Sequence, residues 1–569
     1  GHQLMQRTLV LIGAVLAVFV PSLPKLSSHV VGAPTSDALK HVWSQWLVRD
    51  QVLSGGLSMH TDLLSFPTGG PFFSLDTVNA LLGMPFAVTL GPALAFNVVL
   101  MLSLMAAAVA GAALTRMLTD TPWADVLGGL GFALSAWVFA FPLASGVTET
   151  VVFWPMPLVL LFTWRTLSRP EMRWPILAGL MLTLQGLACW SHGITAGLLL
   201  LGMCGAAAAQ HRDRLTDRAV WSRGAILVGT AALSALPLYL AVSGTVTADD
   251  AIKARTLSLF HSAPIGPLAV PEANSMALAD FVSPGRWGLR VSQAGTEQLQ
   301  YAIYPGFILV GLAIVAVRSR QPWANALALA AVLMALLAMG PRLYLDHGRS
   351  LGGVPNPVYL IAYWTIPLVN ATIHSVDRFA VGLQLCLALL AALGLAQTRS
   401  SLRPWLILGV MLELLWASPG PWPLPSTAVN PHPASQYMAA QPGSGAVIDW
   451  PFEADGAQGR WFVGDIFLQQ TVHGRPIPFQ LEGRGIETVS RPAAANPFFH
   501  RVTMSLLHSR PAPRDCTGAD ALGAMGVDFV VWRHALVSSK LRSSLDSVLR
   551  SCLGEGQDFG DRSVFRVPR

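Results

Sequence analysis

LVLIGAVLAVFV (residues 9–20) and, soon after it, TSDALKHVWSQWLVRDQVLSGGLSMHTDLLSFPTGG (35–70) decide the fold class between them. The first is an apolar run with no small-residue cleavage site behind it. Many further apolar runs follow, so it reads as a retained first membrane helix and not as a removed signal. The second places Asp37, Asp50, Asp62, His41, His60, Lys40 and Arg49 among tryptophans directly after that helix. Ionisable groups cost free energy near hydrocarbon unless something meets them there. The pairing therefore points to a chain built in the membrane with its chemistry at the surface.

Composition agrees. The 569 residues are 53% hydrophobic and 12% charged, where soluble domains carry about 25% charged residues. The mean hydropathy is +0.51. The net charge of +6 comes almost wholly from arginine, since lysine stands only at positions 25, 40, 253 and 540. The arginines are dispersed, which gives no sign of nucleic-acid binding.

Apolar windows of membrane length fall at 7–23, 92–116, 123–142, 150–166, 174–191, 193–209, 221–242, 301–317, 323–340, 377–397 and 404–418. The predicted architecture is an α-helical polytopic membrane protein of about eleven spans. Ser191-His192-Gly193 supplies the break within 174–209. With the N-terminus inside, the loops carrying Arg7, Arg116, Arg165, Arg169, Arg173, Arg212, Arg214, Arg218, Arg223, Arg318, Arg320, Arg399 and Arg403 all fall on the inner side. This works only if LDTVNALLGMPFAVT (76–90) lies along the interface or re-enters.

The membrane domain is expected to cover 1–419, with outer loops 24–91, 243–300 and 341–376. Residues 420–569 are expected to form a soluble extracytoplasmic α/β domain, so the C-terminus is outside. GAVIDWPF (445–452), GVDFVVW (526–532) and SVFRVP read as strands; RWFVGDIFLQQTVHG (460–474) and SKLRSSLDSVLRSCL (539–553) read as helices. Cys516 and Cys552 sit in this tail, where an oxidising compartment permits a disulfide. Cys189, Cys204 and Cys386 read as small core residues.

In ALKHVWSQWLVRDQVL the positions of Asp37, Lys40 and His41 share one helix face. Two readings stay open: a solvated amphipathic helix lying on the membrane with Trp43 and Trp46 as interfacial anchors, or a catalytic carboxylate flanked by groups that hold a phosphate. The chain contains no P-loop, no suitably placed GxGxxG and no HExxH, which disfavours ATP- or nicotinamide-driven chemistry.

SDALKHVWSQW with LSFPTGGPFFSLDTVNALLGMP, GVTETVVFWPMPLVLL (146–161), YAIYPGFILVGLAIV (301–315), IHSVDRFAVGLQLCLALLAALGLA (373–396) and the tail pieces AVIDWPF, QQTVHGRPI and GVDFVVW resemble bacterial members of the GT-C superfamily. These are integral-membrane glycosyltransferases that use polyprenyl-phosphate-linked sugars. The resemblance implies transfer of a sugar to a lipid, polysaccharide or protein acceptor on the outer face of a bacterial inner membrane, by inverting chemistry. It implies Asp37 as catalytic base and Glu149 as a second acidic group or metal ligand. Arg378, with His374, Lys40 and His41, would contact the donor phosphate, although His374 stands where related sequences often carry arginine. Asp62 and Asp76 are expected along the same cleft, Asp76 alternatively as a helix cap. His192 reads as a satisfied interface histidine, Asp377 as a neutraliser of Arg378 and His473 as a turn-ordering residue. No cofactor is required by these residues, and a divalent metal stays open. The alternatives are a non-catalytic or transport protein that binds lipid-linked glycans, or a degenerate subunit of a membrane assembly.

Overall fold

The computed structural model describes residues 2–34, 36–71, 76–210, 217–247, 275–283, 303–346, 353–366, 369, 375–417, 422–452, 463–481 and 489–568. Most of the expected loop 243–300 and the candidate residue His374 lie outside them.

The N-terminal half folds into α1 (His2–Phe19), α2 (Ala38–Leu53), α3 (Thr77–Leu90), α4 (Pro92–Leu118), α5 (Ala124–Ala133), α6 (Ala136–Val138), α7 (Pro155–Ser168), α8 (Arg173–Ala188), α9 (Trp190–Gln210) and α10 (Arg218–Thr247). Among the described residues, seven helical stretches are long and apolar enough to cross a membrane: His2–Lys25, Pro92–Leu118, Ala124–Ala144, Thr148–Ser168, Trp190–Gln210, Arg218–Pro237 and Val376–Leu395. The other four expected spans are α8 and the helices Phe307–Arg318, Ala324–Ala338 and Arg403–Ala417, of 16, 12, 15 and 15 residues. At 1.5 Å per residue they reach only about 18–24 Å, short of a hydrocarbon core of about 30 Å.

The stretch Ala124–Ala144 is buried throughout and forms the centre of the bundle. It packs on α4 and on the helix Ala380–Leu395. The latter also lies against Phe307–Arg318, so closely that a Cβ at Gly394 would collide with the Leu312 carbonyl. The break between α8 and α9 falls at Cys189, whose backbone is extended, and not at residues 191–193.

Segment 77–90 is helical; it packs on α2 and α4 while leaving Leu81, Leu82, Val88 and Leu90 exposed. Two short ladders close turns: β2 (His60–Thr61) with β3 (Gly70–Pro71), and β4 (Arg342–Leu343) with β5 (Val354–Pro355). The strand β1 (His29–Val31), just after α1, pairs antiparallel with β6 (Ser426–Ala428). Chain from near the start of the sequence is thereby joined to its last third.

Beyond β6 lies a four-stranded sheet ordered β7 (Ala446–Trp450), β8 (Val527–Trp532), β10 (Ser563–Arg566), β9 (Gln557–Asp558). β7 and β8 run parallel, and β10 is antiparallel to both its neighbours. Every residue of β7 and β8 is buried, which explains their near-continuous apolar sequence. Arg533, at the end of β8, contacts Asp449 and Asp465, so this charge enters the core only in company. Cys516 and Cys552 form a disulfide with a Cα–Cα distance of 5.1 Å.

The core of this C-terminal unit includes Trp43, Leu47, Val48 and Leu64 from the segment that follows α1. Trp43 is fully buried, packs edge-on against Phe467 at 5.6 Å and donates from its indole nitrogen to Gln470 Oε1 at 2.8 Å. Trp46 packs against the same core. Both tryptophans therefore anchor α2 to the C-terminal unit and not to a bilayer. The surface-lying reading of α2 fails with them, because Ala38, Leu39, His41, Val42, Trp43, Ser44, Gln45, Leu47 and Val48 are all buried.

A charged cluster at one end of the bundle

The start of α2 is stitched to the turn that follows the central helix. Ala33 N–H donates to Ala144 O at 2.9 Å and Asp37 N–H to Ser145 O at 3.2 Å. Gly146 makes this approach feasible: its φ is +66°, and a Cβ there would stand 2.6 Å from the Ala38 amide nitrogen. Asp37 and Glu149 come from different loops but are fixed to one another by this seam.

Asp37 occupies the N-cap position of α2 without capping it. Its backbone is already in the helical region (φ −76°, ψ −3°), whereas a capping side chain needs an extended N-cap. The carboxylate instead meets Lys40 Nζ at 2.9 Å. Its side chain is 44% exposed. Burial pushes its pKa up, but Lys40 first, then His41 and Arg378, outweigh burial and hold it below the ordinary value. Asp37 is thus ionised at neutral pH.

One turn on, His41 is buried between two carboxylates. Nδ1 lies 3.0 Å from Asp76 Oδ2 and Nε2 3.4 Å from Glu149 Oε2. Burial disfavours its cationic form, yet Asp76, Glu149 and Asp37 together raise its pKa above the usual 6.5. Thr148 Oγ1 donates to Asp76 Oδ2 at 2.6 Å. Behind it, Asn79 Nδ2 donates to Thr148 O at 2.8 Å, and Gln45 Nε2 to Asn79 O at 3.0 Å. Asp76 therefore sits at the N-cap of α3 but makes no capping bond; its side chain serves the cluster.

Glu149 continues the chain of charge to Arg378, whose Nη2 is 3.1 Å from Glu149 Oε1. The guanidinium lies over the Phe141 ring at 5.5 Å, and its Nη1 is 3.8 Å from Cys189 Sγ. Asp377 makes no close ion pair with Arg378, although each charge favours the other. Both of its buried carboxylate oxygens lack hydrogen-bond partners, as do both nitrogens of His192, Nε1 of Trp137 and Nε of Arg378. The satisfied-histidine reading of His192 fails on the same observation. Trp137 and His192 are 5.7 Å apart ring to ring. Buried polar atoms without partners are costly, and here they gather at the starts of α9 and the last long span.

The structure thus brings together Asp37, Lys40, His41, Asp76, Glu149 and Arg378. Asp62 is exposed near the β2–β3 hairpin and makes no contact with them. His473 accepts from the Arg475 amide at 3.0 Å, ordering its turn. Sequence reasoning missed Trp137, Cys189, Asn79 and Thr148; a polar residue inside an apolar run was the available signal for Asn79. Among the described residues no three His, Cys, Asp or Glu side chains converge as a metal site.

No protein-family model matches the chain, and no curated protein sequence does. Solved structures do match. The oligosaccharyltransferase AglB from Archaeoglobus fulgidus, in complex with an inhibitory peptide and a dolichol-phosphate, superposes at a TM-score of 0.50 and 13% identity. That match covers 93% of this chain and 70% of that one. The arabinofuranosyltransferase AftD from Mycobacteria superposes at a TM-score of 0.53 and 15% identity, over 99% of this chain and 40% of that one. Both are GT-C superfamily membrane glycosyltransferases. The chain has the GT-C fold. It spans well under half the length of AftD, and at these identities the likeness is one of fold.

Proposed function

We propose that this protein transfers a sugar from a polyprenyl-phosphate carrier to an acceptor hydroxyl or amide at the outer face of a bacterial inner membrane. The observation that carries this reading is the convergence of Asp37, Lys40, His41, Glu149 and Arg378 at one end of a GT-C-fold bundle. In this reading the N-terminus is cytoplasmic, and the arginine-rich helix ends opposite the cluster support that orientation.

The chemistry follows from the charges. Asp37, kept ionised by Lys40, accepts the acceptor's proton as the acceptor atom bonds to the anomeric carbon. The bond from that carbon to the phosphate oxygen breaks with inversion, and the polyprenyl phosphate leaves. Arg378 and Lys40 stabilise the phosphate. Arg378 suits this because its planar fork matches phosphate oxygens and one of its donors, Nε, is unpartnered. The unpartnered polar atoms of Trp137, His192 and Asp377 supply donors and acceptors of the kind that read sugar hydroxyls. The sugar–phosphate bond supplies the driving force, so no nucleotide is needed.

The test is sugar transfer by the purified protein from a panel of polyprenyl-phosphate sugars, with Asp37→Asn alongside. Turnover abolished in the variant supports the assignment; undiminished turnover removes it. Saturable donor binding with no turnover by the unaltered protein on any donor would favour the glycan-binding alternative.

A further inference from the structure

At the end of the bundle away from the charged cluster, α4 and α7 enclose a recess of about 500 Å³ lined by Arg116, Arg165 and Arg169 with Met117, Leu161 and Trp164. Helix α7 begins near Glu149 and ends at Ser168, so its 14 residues put the recess roughly 20 Å from the cluster. It is a separate place with separate chemistry.

Its charge is not balanced from within. Asp125 is buried and serves two guanidiniums, Arg7 at 3.1 Å and Arg116 at 3.0 Å. Arg165 lies over the Trp174 ring at 4.4 Å, and Glu171 is turned to Arg173. Among the described residues, neither Arg165 nor Arg169 pairs with a carboxylate. The Arg223 guanidinium donates to the Arg169 carbonyl, which brings a further cation to the rim. An inner-side preference for arginine explains why such residues occupy these helix ends. It does not explain why three of them ring one hollow, where among the described residues Arg165 has no carboxylate partner and Arg169 has only the more distant, exposed Glu171.

The surroundings specify the kind of anion. Trp164 packs edge-on against Trp323 at 5.0 Å, and Trp174 stacks on Phe162 at 5.9 Å. Tryptophans grouped at helix ends mark headgroup depth in a bilayer. Met117 and Leu161 give the recess an apolar side that a free inorganic anion cannot use. Basic hollows between helices with apolar walls suit anionic lipid headgroups.

We infer that this recess binds the phosphate of an anionic phospholipid, with Arg165 and Arg169 as its principal contacts and the lipid chains running along Met117 and Leu161. The shared chemistry is a phosphate anion, and a lipid and soluble phosphate are its two sources.

The test uses the full chain in a neutral detergent. Its melting temperature and native mass spectrum are followed as dioleoylphosphatidylglycerol, dioleoylphosphatidylcholine or inorganic phosphate is added. Phosphatidylglycerol is expected to raise the melting temperature and to be retained in the mass spectrum, and phosphatidylcholine to do neither. In the Arg165→Gln/Arg169→Gln variant phosphatidylglycerol should bind roughly thirtyfold more weakly, the loss expected for two charges near a lipid surface. Neither residue holds a structural ion pair, so the variant should fold, and its melting temperature without lipid checks that. Equal phosphatidylglycerol binding by variant and unaltered protein would overturn the site. An equal stabilisation by inorganic phosphate would overturn the lipid as its occupant.

Discussion

Arg378 and Glu149 are held 3.1 Å apart across a sequence separation of 229 residues. The pair joins the start of the last long span to the turn before α7 and occupies one edge of the guanidinium. A donor phosphate must share or displace that edge. Arg378→Ala is therefore expected to raise the donor KM roughly ten- to a hundredfold, the value of one charge-assisted contact. Arg378→Lys should recover part of this, because it keeps the charge and loses the fork. Initial-rate kinetics over a range of donor concentrations would show it; an unchanged KM in Arg378→Ala removes the residue from the phosphate.

Lys40 sets the protonation of Asp37. Because the Asp37 carboxyl lies below its ordinary 3.8, the acid limb of the rate should fall below that pH. Removing the cation in Lys40→Met takes away the largest influence that lowers the carboxyl, so its pKa rises and the acid limb moves to higher pH. A pH–rate profile that does not move between the two proteins would separate Asp37 from the base.

His41 gives the fold its own pH dependence. Its folded pKa lies above the ordinary 6.5, so the folded state binds a proton the unfolded chain releases. The resulting stabilisation is fully present below pH 6.5 and is lost as pH rises through the higher folded value. The melting temperature of the unaltered protein should fall between neutral and alkaline pH. It should fall less in His41→Gln, where Asp76 and Glu149 lack the cation at every pH. Identical slopes in the two proteins would count against a protonated His41.

The bundle was legible because apolar length is a property of each segment alone. The details that failed depend on partners far away in sequence. Gly193 reads as a helix break, but it lies inside α9 because a Cβ there would stand 2.6 Å from the Gly186 Cα; the glycine marks a close approach. Asp76 has the composition of a cap, yet its backbone is left-handed (φ 50°) and its side chain is committed to Thr148 and His41. Trp43 and Trp46 read as membrane anchors because an aromatic residue carries no label for what covers it. The convergence of Asp37, Glu149 and Arg378 is a tertiary fact that no local pattern encodes, although each residue stood out as an ionisable group near hydrocarbon.

Gln470 ties the C-terminal unit to the helix that carries Asp37. It is fully buried. Its Oε1 accepts from the Trp43 indole at 2.8 Å, and its Nε2 donates to Leu63 O at 2.7 Å and Arg475 O at 3.0 Å. Gln470→Leu fills the same volume but strands the indole N–H and two carbonyls. Each stranded group costs about 1–3 kcal/mol, so a loss of several degrees in melting temperature is expected. Because Trp43 lies two turns from Asp37 on α2, the surviving folded protein should also lose kcat while its donor KM, set by Arg378, stays nearly constant. Gln470→Glu keeps the acceptor for Trp43 but repels the two carbonyls, and should fall below Gln470→Leu in stability. A variant destabilised as expected but with unaltered kcat would mean that α2 holds Asp37 in place without help from the C-terminal unit.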